Sequence, residues 1–225
     1  MAEFTLNGIT LQIPDVLLTD QLTNSLQSGR YEGTETAALA KHLRPKDRFL
    51  DLGAGAGYLV ALAGAQLKVA QVTGVEAGPD MVPVAQENLR RNGVAKGVIQ
   101  WGAVVPDSYT EPEITFTVRP SFWASTLTPP EGAKNTREVA VPALRFGALL
   151  HQVHPTVVCI DIEGGELDLF ATQLPESLRL IVIELHPGIY GKTGIKRIFD
   201  ALSQQGFCYC LPGFTGGTVV FERLK

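Results

Sequence analysis

Between a short apolar run and a helical stretch, the chain reads Asp51-Leu52-Gly53-Ala54-Gly55-Ala56-Gly57. Glycines in alternation let a backbone turn within a few residues and let a ligand approach it with no side chain between. A turn of this kind joins a strand to a helix, and that junction is the unit of a parallel sheet. The neighbouring pattern agrees. Phe49 to Leu52 reads as a strand and Tyr58 to Leu67 as a helix. Ala70 to Ala77 is a second strand, Pro79 to Arg91 a helix stopped by Asn92-Gly93, and Val98 to Val105 a third strand. The rhythm resumes with a strand over Thr156 to Ile162, a helix from about Gly165, a strand over Leu178 to Leu185 and a helix from about Ile195. Phe207 to Leu211 and Thr218 to Glu222 are joined by so short a link that they are expected to pair antiparallel. The order predicts an α/β fold, a mostly parallel sheet with helices on both faces.

Two segments stand outside that rhythm. Phe4 to Leu6 and Ile9 to Ile13 alternate apolar and polar residues around Asn7-Gly8, the signature of a tight hairpin. A helix is expected over Leu17 to Leu26, with Gly29 ending it, and another from a Thr34 cap to Leu43, ended by Pro45. Further on, six of the 14 prolines fall between Pro106 and Pro142, among alternating residues such as Ile114 to Val118. This reads as an inserted β-hairpin. Its Phe116, Phe122 and Trp123 make it a candidate surface for an acceptor or a dimer contact. The length suits one domain, 1–225, with 1–44 as the N-terminal hairpin and helices and 106–142 as the insertion.

Composition removes several classes. Lys and Arg total 19 against 23 Asp and Glu, with no basic run, so no nucleic-acid partner is expected. The best apolar run, Tyr58 to Leu67, stops at Lys68, short of the roughly 18 residues a membrane helix needs. No membrane partner is expected. The first basic residue is Arg30, and Cys159, Cys208 and Cys210 read as buried reduced thiols, so the expected location is cytoplasmic.

Chemistry concentrates at strand ends. Glu76 closes the second strand 23 residues after Gly53, close to the ~20 of a nucleoside-binding βαβ unit whose acid holds ribose hydroxyls. The turn is G-x-G-x-G, and Tyr58 occupies the sixth position, which argues against a dinucleotide. A later strand runs into Asp161-Ile162-Glu163-Gly164-Gly165-Glu166, and the next ends Ile183-Glu184-Leu185-His186. Extended geometry puts Asp161 and Glu163 on one side. Neighbouring strands would bring Asp161, Glu163, Glu184 and His186 to a common edge. Glu166 reads as a helix-start acid favoured by the dipole.

The turn resembles that of class I S-adenosylmethionine-dependent methyltransferases. The order Gly29-Arg30-Tyr31-Glu32, Phe49 to Ala54, Ile160 to Glu166 and Ile183 to His186 resembles the FkbM family, from about Gly29 to Gly206. The resemblance implies a Rossmann-like fold with a mostly parallel seven-stranded sheet and S-adenosylmethionine as methyl donor. It also implies O-methylation of a small-molecule acceptor, a sugar or natural product; a homodimer is compatible with it. The cofactor is expected at Glu32, Asp51, Gly53, Gly55, Gly57, Glu76, Ala77, Gly102, Ala103 and Asp161. An alcohol must lose a proton as its bond forms, so Asp161, Glu163 or His186 is expected to be the base. In a second version a divalent cation such as Mg²⁺ sits on Asp161, Glu163 and Glu184. Cys159 stands where that family usually has lysine. N- or carboxyl-methylation and a non-catalytic nucleoside-binding subunit are the alternatives.

Overall fold

The computed structural model describes residues 1–119, 122, 125–127, 132, 134–210 and 217–224. Strands β1 (Ala2–Leu6) and β2 (Ile9–Ile13) pair antiparallel around Asn7 and Gly8, whose φ angles of 48° and 77° are the pair this turn demands. Helices α1 (Asp20–Gln27) and α2 (Gly33–His42) follow. Then come β3 (Arg48–Leu52), α3 (Tyr58–Ala61), β4 (Gln71–Glu76), α4 (Met81–Arg91) and β5 (Val98–Trp101). Next are β6 (Ala103–Val105), just before the insertion, and β7 (Glu113–Val118) and β8 (Arg137–Arg145), which the insertion contributes in whole or in large part. The rest is α5 (Phe146–Val153), β9 (Val157–Ile160), β10 (Leu180–Glu184), α6 (Pro187–Gln204), β11 (Phe207–Tyr209) and β12 (Thr218–Arg223).

Seven strands form one sheet in the order β11-β12-β10-β9-β3-β4-β5. β5, β4, β3, β9 and β10 are mutually parallel, and β12 runs antiparallel to both β10 and β11. The apolar runs of the central strands serve two layers at once. Val157, Cys159, Leu180 and Val182 pack with the hairpin and α1 to α4, whereas Val158, Ile160, Ile181 and Ile183 pack with α5 and α6. Alternate side chains of a strand point to opposite faces, so a strand buried on both must be apolar throughout. Because these strands are parallel, their acid-bearing carboxyl ends share one edge of the sheet. Among the described residues no helix is long and apolar enough to cross a membrane.

Several local expectations change. The strand expected over Val98 to Val105 divides at Gly102, whose φ of 149° swings β6 out of the main sheet to pair with β8. β7 and β8 form the expected antiparallel hairpin, although a long connection joins them. The stretch after Ala61 is a single π-turn over Leu62–Gln66, and the segment from Gly165 to Ala171 is a 3-10 helix. The last helix starts at Pro187, not near Ile195, and is broken at Gly191 (φ 62°, ψ −174°). Thr34 does not cap α2. Glu32 takes that position in the left-handed region, and the Thr34 hydroxyl donates to Glu35 instead. Cys159 and Cys210 are buried and Cys208 is exposed, so the expected burial fails at one thiol of three. Phe122 is described, whereas Trp123 and the loop 211–216 lie outside the described residues.

Besides apolar packing, the hairpin is tied to the domain by two asparagines one turn apart, Asn88 on α4 and Asn92 at its C-terminal cap. Asn92 accepts from the Thr10 N–H (2.9 Å) and donates to the Thr10 carbonyl (2.7 Å), as a neighbouring strand would. The wholly buried Asn88 accepts from the Gln12 N–H (2.8 Å) and donates to the Ala56 carbonyl (2.9 Å) in the glycine turn. Deleting its amide leaves a buried donor and acceptor unpaired. Asn88→Ala is therefore expected to cost about 2 kcal/mol or more in denaturant unfolding; a loss under about 0.5 kcal/mol would contradict this role.

Candidate functional site

A cavity of about 960 Å³ opens at the carboxyl edge of the sheet. Its floor includes Gly53 and Gly55 after β3, Glu76 and Ala77 at the end of β4, and Gly102 and Ala103 after β5. Asp161 and Glu163 after β9, Glu184 at the end of β10 and Glu32 before α2 also line it. Ten of the residues expected from sequence thus border one space. Three do not. Asp51 is buried in β3, Gly57 faces α4, where a Cβ would sit 3.0 Å from the Ala85 carbonyl, and His186 lies behind Asp161 and Glu163.

The glycines are required by close approaches. A Cβ on Gly53 would fall 1.8 Å from the Asp161 carbonyl oxygen, so the ends of β3 and β9 could not meet. One on Gly55 would press on the Tyr31 hydroxyl at 3.2 Å and the Phe122 ring at 3.3 Å, filling the cradle beside the turn. The Gly55 N–H donates to Glu76 Oε2 (2.7 Å) and the Gly78 N–H to Oε1 (2.6 Å), so the Glu76 carboxylate is fixed from both sides.

Sequence reasoning missed several participants. Glu35, Arg30, Arg119 and Lys134 line the cavity. Glu35 shows no sequence signal beyond an acid within a helix. Glu166 is not a surface acid at a helix start. It is fully buried and accepts the N–H of Ile162 (3.1 Å) and of Gly164 (3.3 Å). His186 stands between the acids: Nδ1 is 3.3 Å from Glu166, and Nε2 is 3.6 Å from Asp161 and 3.5 Å from Glu163. Donor atoms of Asp161, Glu163 and His186 lie within 4.8 Å of one another, and Glu184, expected as a cation ligand, is not in that group. The imidazole thus faces three carboxyl groups, and Asp161, Glu163 and His186 are not assigned as metal ligands. Glu32 and Glu163 both have positive φ, 48° and 52°, a conformation that side chains disfavour.

Burial and crowding of like charges displace the titrations. Asp51 is pushed up to about 8, by burial first and then by Glu76 and Glu35. Glu76 rises to about 7 through burial, against the pull of its backbone donors. Burial, then Glu184 and Glu163, holds Asp161 well above the carboxylate range; burial, then Asp51, does the same for Glu32. Burial alone would lower His186, but Glu166, Asp161 and Glu163 outweigh it and bring it to about 9.

Comparison with known proteins places the fold. A crystal structure of ribosomal protein L11 methylase from Lactobacillus delbrueckii subsp. bulgaricus superposes with a TM-score of 0.50 at 13% identity, over 87% of this chain and 80% of that one. M. jannaschii TYW2 in complex with AdoMet gives 0.50 at 15% identity, over 99% and 86%. The fold is that of the class I S-adenosylmethionine-dependent methyltransferases. The family model of ribosomal protein L11 methyltransferase (PrmA) matches residues 28–113, under half of the chain. The ribosomal protein L11 methyltransferase of Thermus thermophilus is 46% identical over 69 residues, 30% of this chain. The chain spans about a quarter of that protein's length, 26%.

These findings overturn the FkbM assignment, and with it the sugar or natural-product acceptor, because the matching family and curated relatives are L11 methyltransferases. The glycine turn belongs to every class I methyltransferase and could not separate the two families. The matched segment holds that turn and Glu76, while the acidic block at 161–166 lies beyond it.

The displaced titrations fix the pH dependence of stability. Between pH 7 and 9 the folded, ligand-free protein binds more protons than the unfolded chain, because Asp51, Glu76 and His186 all have raised values. Stability must then fall as pH rises. The stabilisation from His186 is complete below about 6.5 and is lost on passing about 9. The melting temperature is expected to drop steadily from pH 7 to 9; a rise over that window would refute the assignment.

Proposed function

We propose that the protein is an S-adenosylmethionine-dependent methyltransferase whose acceptor is an amino group on a protein. The observation that carries this reading is the lining of the cavity: six carboxyl groups border it against three cationic side chains. A cationic ligand would relieve the crowding that, after burial, raises the titrations of Asp161 and Glu32. Two cationic ligands suit such a wall, a sulfonium donor and a protonated amine. The L11 methyltransferases similar to the first half of the chain are named for a protein acceptor, which supports the same class.

The residues present fit the donor. Glu76 keeps acceptor capacity for ribose hydroxyls beyond its two backbone bonds. The turn at Gly53 and Gly55 offers bare backbone to the methionine end, with Glu32 available to its ammonium. Gly102 and Ala103 border the adenine side. When bound, the donor supplies an activated methyl on a positively charged sulfur. The chain's remaining work is to hold the amine in line with it and to remove a proton. Asp161 and Glu163 stand on the cavity wall where an ammonium would be held, with His186 3.5–3.6 Å behind them.

The test is methyl transfer from labelled S-adenosylmethionine to purified ribosomal protein L11 and to a whole-cell protein extract, followed by mapping of the label. Label on a lysine or an N-terminal amine is expected. Label confined to hydroxyls or carboxylates would overturn the acceptor class, and the absence of donor binding by calorimetry would overturn the whole reading. Glu76→Ala is expected to weaken donor binding at least about tenfold, the worth of hydrogen bonds to a charged group.

A further inference from the structure

Glu166 is the most deeply buried acid among the described residues and does not line the cavity. A carboxylate in that position needs partners, and two backbone N–H groups and one imidazole nitrogen are arranged around it. The Ile162 and Gly164 N–H groups donate to Oε1, and His186 Nδ1 lies 3.3 Å from the same oxygen. His186 Nδ1 is buried, and Glu166 Oε1 at 3.3 Å is the carboxylate oxygen that faces it, while Asp161 and Glu163 face Nε2. The histidine is anchored a second way: its backbone N–H donates to the Tyr190 hydroxyl at 2.6 Å. With Nδ1 held inward, Nε2 is turned to Asp161 Oδ1 and Glu163 Oε2, both on residues of the cavity wall. Asp161 Oδ1 is itself buried and has no hydrogen-bond donor.

We propose that Glu166 is a positioning residue: it keeps the His186 ring proton on Nδ1, leaving the Nε2 lone pair facing Asp161 and Glu163 to take the proton an acceptor gives up to them. This rests on the reading of the cavity as a methyl-transfer site. The acceptor's N–H bond breaks with its electron pair left on nitrogen. The proton passes to Asp161 or Glu163 and then bonds to Nε2. The resulting imidazolium is charge-matched by Glu166 on one side and by the two cavity carboxylates on the other. The groups facing the ring are Asp161 and Glu163 from the loop after β9, Glu166 from the 3-10 helix that follows it, Glu184 from β10 and Tyr190 from α6. A helix-start acid with no link to the reaction would show none of the consequences below.

The experiment is nitrogen NMR of histidine-labelled protein, free of donor and acceptor, with the His186 signals identified by their loss in His186→Gln. The neutral ring is expected with its proton on Nδ1 and a titration near 9. In Glu166→Gln that titration is expected to fall toward the ordinary value of about 6.5. Turnover should rise with pH to the His186 titration in the native protein. In Glu166→Gln kcat should drop at least about tenfold, its pH profile should move to lower pH, and donor affinity should be unchanged. A neutral ring protonated on Nε2, or a titration unmoved by Glu166→Gln, overturns the proposal. If Glu166→Gln does not fold, the tautomer of the native protein decides alone. The NMR readout needs neither donor nor acceptor, so a failed methyl-transfer assay with the expected tautomer counts against the proposed function and not against the Glu166–His186 pairing.

Discussion

A carboxylate enclosed in a protein must be met by donors or give up its charge, and the architecture of this sheet edge follows from that requirement. Glu76 is met by the N–H groups of Gly55 and Gly78, which belong to the turns after β3 and β4. Glu166 is met by the N–H groups of Ile162 and Gly164, in the loop after β9. In both places a loop winds around an acid with glycine supplying a donor. Gly55 at φ 50° and Gly164 at φ 102° do so from conformations that side chains resist. The glycines therefore serve the acids as much as any ligand. Once two loops are fixed this way, the strand ends they join are fixed as well, and the cavity between them keeps its shape.

Compensation is incomplete at this edge. Asp161 Oδ1 and Glu166 Oε2 are buried without a donor, and Glu32 and Glu163 hold disfavoured backbone angles. Neither arrangement benefits the ligand-free fold. Local strain and crowded acids gathered on one wall are what the proposed cationic ligands would relieve.

Much of the architecture was legible because it rests on local periodicity. The apolar runs at Val157 to Ile160 and Leu180 to Glu184, the glycine turn and Glu76 each carry their meaning within a few residues. The parallel sheet then brings the ends of β4, β9 and β10 together, as the alternation of elements requires. What stayed hidden depends on contacts distant in sequence. Glu166 looks like a helix-start acid until β10 delivers His186 beside it. Gly102 looks like a residue within one strand until Leu144 and the Pro142 carbonyl, at 2.7 and 2.8 Å from the place of its missing Cβ, show why the chain must bend there. The family and the acceptor were misread for a different reason: a turn shared by a whole fold class cannot carry the identity of one family within it.

The asparagine clamp on α4 also bears on the order in which the molecule can assemble. Thr10 and Asn92 are 82 positions apart, so a ribosome releases the hairpin long before the helix that receives it. Until then Phe4, Leu6, Ile9, Leu11 and Ile13 have α1, but not the complete sheet and α4, to cover them. A two-stranded ribbon alone is marginal in water. The polar asparagines meet a need that apolar packing cannot: they fix the register of a waiting ribbon, so its apolar stripe lands on the sheet and not on another nascent chain.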